Sequence, residues 1–83
     1  MVVPVRAGSG MAALQCGHLP TGERVGIAFT SVDRLARVMG PGQAWIQIDV
    51  RAVQVMLAPV GVTRIQVDPG FVARAGRPVA VSA

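Results

Sequence analysis

The chain has no lysine, no tyrosine and no asparagine, and its 83 residues include one cysteine, one histidine and one tryptophan. A single thiol, Cys16, cannot form an internal disulfide, so nothing points to an oxidising compartment. Only four carboxylates are present, Glu23, Asp33, Asp49 and Asp68. Scattered as they are, they do not complete a metal site with Cys16 and His18, because metal binding needs three or four converging ligands. No metal and no cofactor is therefore expected. Three aromatics in all, Phe29, Trp45 and Phe71, are too few for the stacked platform of a single-strand nucleic-acid binder. No stretch reaches the ~18 uninterrupted apolar residues of a membrane span. Met1 to Leu19 is broken by glycines and lacks the apolar core of an export signal, so a soluble cytoplasmic protein is expected.

What is present is apolar and small. Hydrophobic residues make up 52% of the chain and charged residues 14%, which excludes a disordered polar tail for most of its length. Eighty-three residues suffice for one small domain and not for a complete dinucleotide-binding or barrel enzyme. Such a domain buries about 60% of the surface its unfolded chain exposes, so its core is thin. All eight basic residues are arginine, giving a net charge of +4 and a pI of 11.5. This favours acidic partners modestly, through a field that salt screens within about 8 Å.

Residues 2–6 form a β-branched run containing Pro4, and since proline cannot donate to a ladder this strand is expected at a sheet edge. A second strand, 11–16, follows the break at Gly8-Ser9-Gly10, and Leu19-Pro20-Thr21-Gly22-Glu23 reads as the turn into a strand over 25–29. Thr30 or Ser31 can cap a helix whose residues Val32, Leu35, Val38 and Met39 share one face, with Asp33, Arg34 and Arg37 on the other. Gly40-Pro41-Gly42 ends it. Residues 44–48 alternate as a strand, then hand over at Asp49 to a helix that ends near Ala58. A last strand, 63–67, stops at Asp68-Pro69-Gly70. Residues 1–72 are thus expected to form a single domain and 73–83 a flexible tail, with 78–81 able to pair with a free sheet edge.

Two motifs touch on chemistry. Gly8-Ser9-Gly10-Met11-Ala12-Ala13 fits the dinucleotide-binding pattern G-x-G-x-x-A. The helix that this chemistry needs would meet Gly17 and Pro20 within two turns, so a hairpin loop is the better reading. Cys16 and His18 stand two apart, where a thiolate–imidazole pair of a small enzyme or redox module would require hydrogen-bond contact that one strand face does not guarantee. Asp33 and Asp49 read as helix starts and Asp68 as a turn residue, leaving no acid/base pair. Arg34 and Arg37 are the best candidates for nucleic-acid contact, joined by Arg24, Arg51 and Arg64 only if the fold gathers them. Trp45 is placed to plug the small core, with an exposed interface anchor as the alternative. Phe29 and Phe71 are also assigned to the core.

Gly26-Ile27-Ala28-Phe29-Thr30-Ser31-Val32-Asp33-Arg34-Leu35, then Leu57-Ala58-Pro59-Val60-Gly61-Val62 and Ile65-Gln66-Val67-Asp68-Pro69, resemble the SseB family. The likeness is closer to small actinobacterial proteins related to that family's N-terminal domain. It covers residues 1–70, with the strand-to-helix junction and the final Asp-Pro as its diagnostic parts; Asp33 stands where the family has glutamate. The resemblance implies an α+β domain, a mostly antiparallel sheet of four to five strands with two helices packed on it. It carries no catalytic residues. The expected function is accordingly a non-enzymatic protein-interaction or accessory module, its partner a protein and possibly a second copy of itself as a homodimer, with contacts at Arg34, Arg37 and Trp45. The alternative is a nucleic-acid-binding regulator using the arginine face. No small-molecule substrate and no membrane partner are expected.

Overall fold

A computed structural model describes residues 1–8, 11–72 and 79–80. The elements run β1 (Val2–Gly8), β2 (Met11–Leu14), β3 (Cys16–His18), β4 (Arg24–Ala28), α1 (Val32–Met39), β5 (Trp45–Gln47), α2 (Val50–Leu57), a 3-10 turn (Ala58–Val60), β6 (Ile65–Val67) and β7 (Val79–Ala80). The α+β class holds, but not the single sheet of four to five strands. The described residues form a four-stranded sheet in the order β5-β1-β2-β7 and a three-stranded one in the order β3-β4-β6. Every pairing is antiparallel except β4 with β6, which is parallel.

The two sheets meet at β1, and Pro4 explains how. This strand is not at an edge, since β5 lies on one side of it and β2 on the other. The β1–β2 register places Val5 opposite Leu14, hence Pro4 opposite Gln15, whose N–H donates to the Pro4 carbonyl at 3.0 Å. The donor that proline lacks would have returned to Gln15. Gln15 is where β2 ends and, one residue on, β3 turns away to pair with β4. Beyond Pro4, Val2 exchanges two backbone bonds with Phe29 instead, at 2.8 and 2.7 Å. The proline thus sits at the split between the sheets, where one unpaired position is already required.

Both faces are covered. Val3 and Val5 of β1 and Ala28 of β4 pack with Leu14, Cys16, and Val53 and Leu57 of α2. The alternating residues, Val2, Ile27 and Phe29, pack with Leu35 of α1. Strands buried on two faces read as continuous apolar runs, as 2–5 and 25–29 do. Gly26 lets α2 close in, because a Cβ there would lie 2.7 Å from Leu57 Cδ1 and 3.0 Å from Ile65 Cγ1. Both helices start as the sequence predicts: Ser31 accepts from Arg34 N–H at 3.2 Å, and Asp49 from Arg51 N–H at 2.7 Å. The second ends at Leu57 and runs into the 3-10 turn, which Gly61 closes with a φ of 79° that suits glycine.

Two aromatics leave the core assigned to them. Phe29 is fully buried, whereas Trp45 is 42% exposed and Phe71 79% exposed. Trp45 falls on a border strand of three residues, and Phe71 follows the Asp68-Pro69-Gly70 bend, so neither has an element packed over it. Val79–Ala80 pairs with β2 at Ala13 and Leu14, which is the edge pairing allowed for 78–81; 73–78 and 81–83 lie outside the described residues. Among the described residues no helix is long and apolar enough to cross a membrane.

Candidate functional site

The one parallel pair among the described residues, β4 with β6, brings two strand ends together, and ligands of open sheets with parallel strands bind outside the carboxyl ends of those strands. Here β4 runs into Phe29, Thr30 and the start of α1, while β6 runs into Asp68-Pro69-Gly70. Asp68 N–H extends the ladder by donating to the Ala28 carbonyl at 2.9 Å. Asp68 then adopts φ 50°, the one left-handed non-glycine among the described residues, a conformation aspartate tolerates better than most. The turn delivers its carboxylate to Thr30, whose N–H donates to Oδ1 and whose hydroxyl donates to Oδ2, both at 2.8 Å.

These bonds hold the Asp68 carboxyl below the ordinary carboxylate value, the Thr30 backbone N–H being the largest cause; the Thr30 hydroxyl and the Arg34 charge add to it. Arg34 reaches the same carboxylate through Nε at 3.9 Å, a long, largely exposed contact that adds little to stability. Arg34, Arg37 and Val38 of α1 face Asp68, Pro69 and Gly70 across a cleft of about 140 Å³ with Phe29 behind it. The helix thus presents two guanidinium groups one turn apart to a single carboxylate that is already bonded.

Arg24, Arg51 and Arg64 do not gather there. Arg64 pairs with Glu23 at 3.8 Å. Arg24 is half-buried and bonded beside Cys16, and Arg51 stands on α2, across the sheet from α1. The continuous arginine face needed by a nucleic-acid surface is not formed by these five residues.

Cys16 and His18 lie along β3 opposite Gly26 and Arg24. Cys16 is buried and His18 exposed. Burial raises the thiol above its ordinary value, against a smaller opposing effect of Arg24, so at neutral pH it is protonated and a poor nucleophile. Among the described residues no three metal-ligating side chains cluster. His18 instead borders a second hollow of about 200 Å³ with Leu19, Pro20, Gln66 and Phe71. Met11 onward is strand, not helix, and the register pairs Gly8 with Met11, so the G-x-G-x-x-A run spans a hairpin whose residues 9 and 10 lie outside the described residues.

Trp45 opens a third surface. Ala44 accepts from Val5 N–H, Ile46 pairs with Val3, and Ile48 N–H donates to Met1, so every second residue of this segment bonds inward to β1. The N–H and C=O groups of Trp45 and Gln47 consequently point away from the sheet, along an edge that no other described strand covers.

Comparison with protein-family models, with curated proteins and with solved structures finds no match to this chain.

Proposed function

We propose that the protein is a non-enzymatic interaction module that associates with a second copy of itself through the outer edge of β5, with Trp45 as the anchor. The observation that carries this reading is the coincidence of outward-pointing backbone groups and a 42% exposed tryptophan on one border strand. The segment Ala44-Trp45-Ile46-Gln47-Ile48 carries no charge and no proline, the devices that usually blunt an edge. An antiparallel pairing about a two-fold axis at Ile46 sets each Trp45 opposite the partner's Gln47, so the two copies complement each other with one patch. A three-residue strand covers little area, which suits a micromolar dimer. The resemblance to the SseB family is retained as part of the same proposal, for the fold only. A cytoplasmic location is part of it too. Nucleic-acid binding has less support, because Arg64 is paired with Glu23 and Arg51 lies across the sheet from Arg34 and Arg37.

Sedimentation velocity over a range of concentrations tests it. The wild-type chain is expected to shift from monomer to dimer, and Gln47→Pro to remain monomeric with an unchanged circular dichroism spectrum. That substitution removes an outward N–H and no bond within the sheet. A chain that stays monomeric at several hundred micromolar, or a dimer insensitive to both Gln47→Pro and Trp45→Arg, overturns the proposal.

A further inference from the structure

We infer that the cleft between α1 and the Asp68-Pro69-Gly70 turn is a binding site for a single carboxylate group, gripped by Arg37 and Arg34. Four observations lead to it. The cleft lies at the carboxyl ends of the two parallel strands, where a sheet has no side chains of its own to fill the gap. Its volume of about 140 Å³ is well above the ~10–15 Å³ that holds one water and admits a carboxylate on a short stem.

The charges are unbalanced in favour of an anion. Arg34, Arg37 and Asp68 line the cleft with a net charge of one positive. Between them, Arg34 Nε approaches Asp68 only to 3.9 Å. Asp68 is committed to Thr30 through both oxygens, so its carboxylate is a fixed part of the wall and no substitute for a ligand. The terminal nitrogens of Arg34 and the guanidinium of Arg37 are left to bind, and a planar fork fits a planar carboxylate through two parallel hydrogen bonds. A singly charged carboxylate neutralises the site, whereas a phosphate monoester overshoots it and meets Asp68 as a like charge. Val38 and Pro69 supply an apolar rim for the first carbons of the stem.

The strained turn is the fourth observation. Asp68 holds φ 50° next to the cleft, and backbone kept in a sparsely populated region tends to occur at ligand clamps, where it fixes a wall in place. The carboxylate comes from a small metabolite-sized acid or from an acidic side chain or terminus of a peptide; the chemistry recognised is the same, and the probes below separate the two.

Amide-resolved NMR titration at constant ionic strength tests this, with sodium propionate as the small acid, a short Glu-rich peptide, inorganic phosphate, and a single-stranded oligonucleotide. Propionate or the peptide is expected to give saturable shifts confined to Thr30, Arg34, Arg37, Asp68 and Gly70. Binding of the peptide alone points to a peptide source, and of both to any carboxylate. Arg37→Gln is expected to weaken binding about tenfold, and Arg37→Lys, which keeps the charge but not the fork, to weaken it too. Arg51→Gln, on the other helix, leaves it unchanged. Absence of saturation with both carboxylate probes overturns the inference. So does binding that Arg37→Gln leaves intact, or phosphate or oligonucleotide binding more tightly than either carboxylate. The dimerisation assay above reads β5 and is independent of this outcome.

Discussion

Replacing Gly26 by alanine is the sharpest test of how α2 is seated on the sheet. The added methyl would stand 2.7 Å from Leu57 Cδ1, closer than carbon contacts allow, and 3.0 Å from Ile65 Cγ1, a tight approach. Leu57 is only 1% exposed, so its end has no solvent to swing into, and either its rotamer or the helix must shift within the packed core. Overpacking of this kind costs about 1–3 kcal/mol. Against it stands a gain of about 0.4–1 kcal/mol, because alanine has fewer unfolded conformations to lose than glycine. The clash wins, and Gly26→Ala is expected to destabilise by about 1–2 kcal/mol. In a domain of this size that lowers the midpoint of thermal unfolding by roughly 5–15 °C. Urea and thermal unfolding followed by far-ultraviolet circular dichroism measure the effect. Leu57→Ala alone should cost about 2–5 kcal/mol through the cavity it leaves. In the Gly26→Ala background its cost should be smaller, by about 0.5–3 kcal/mol, since the new methyl occupies part of the cavity. A Gly26→Ala protein as stable as the parent, or two costs that simply add, would refute the contact.

Two further expectations follow from burial and from charge. Phe29→Ala should cost about 3–5 kcal/mol, a large part of the roughly 4–12 kcal/mol available to a chain of this length, whereas Phe71→Ala should change stability by less than about 0.5 kcal/mol; equal costs in urea unfolding would contradict the placement of the two rings. Asp68, held below its ordinary value of 3.8, favours its charged form in the folded state, so its stabilising contribution is complete above that value and is lost as pH falls through the lower folded one. Asp68→Asn should therefore be less stable than the parent at pH 7 and show a flatter acid limb, and unfolding free energies with the same pH dependence in both proteins would show that Thr30 does not hold the charge.

Local signals carried most of the secondary structure. The helix over 32–39 was legible because Ser31, the face Val32-Leu35-Val38-Met39 and Gly40 agree within ten residues. The change from strand to helix near Asp49 was legible from a cap and a switch of period. The site was not, because Thr30 and Asp68 are 38 residues apart. Read locally, each has a sufficient explanation, one as an alternative cap and the other as a turn residue, and only the parallel pairing of β4 with β6 makes them neighbours. Charge and helix periodicity point to Arg34 and Arg37, but the cleft they line is created by that same pairing. An aromatic at a strand start, as Trp45 is, or after the last strand, as Phe71 is, reads as core material, but with α1 and α2 on opposite faces the thin core is filled by Phe29, Leu14, Ile27, Leu35 and Leu57.

Pro4 shows at what scale a sequence rule operates. The rule that proline belongs at edges concerns one absent N–H, and its translation into a border strand assumes that a strand has one neighbour along each side for its whole length. Here β1 has β5 along one side but two successive neighbours along the other, β2 up to Gln15 and then Phe29 at Val2. The gap between those neighbours is a local edge one residue wide, inside the sheet. Pro4 occupies it while its side chain is fully buried, so the missing donor marks the branch point at which the two sheets separate. That branching leaves β5 at one border of its sheet and places the β4 and β6 ends beneath α1, and hence sets both the open edge proposed for docking and the cleft proposed for a carboxylate.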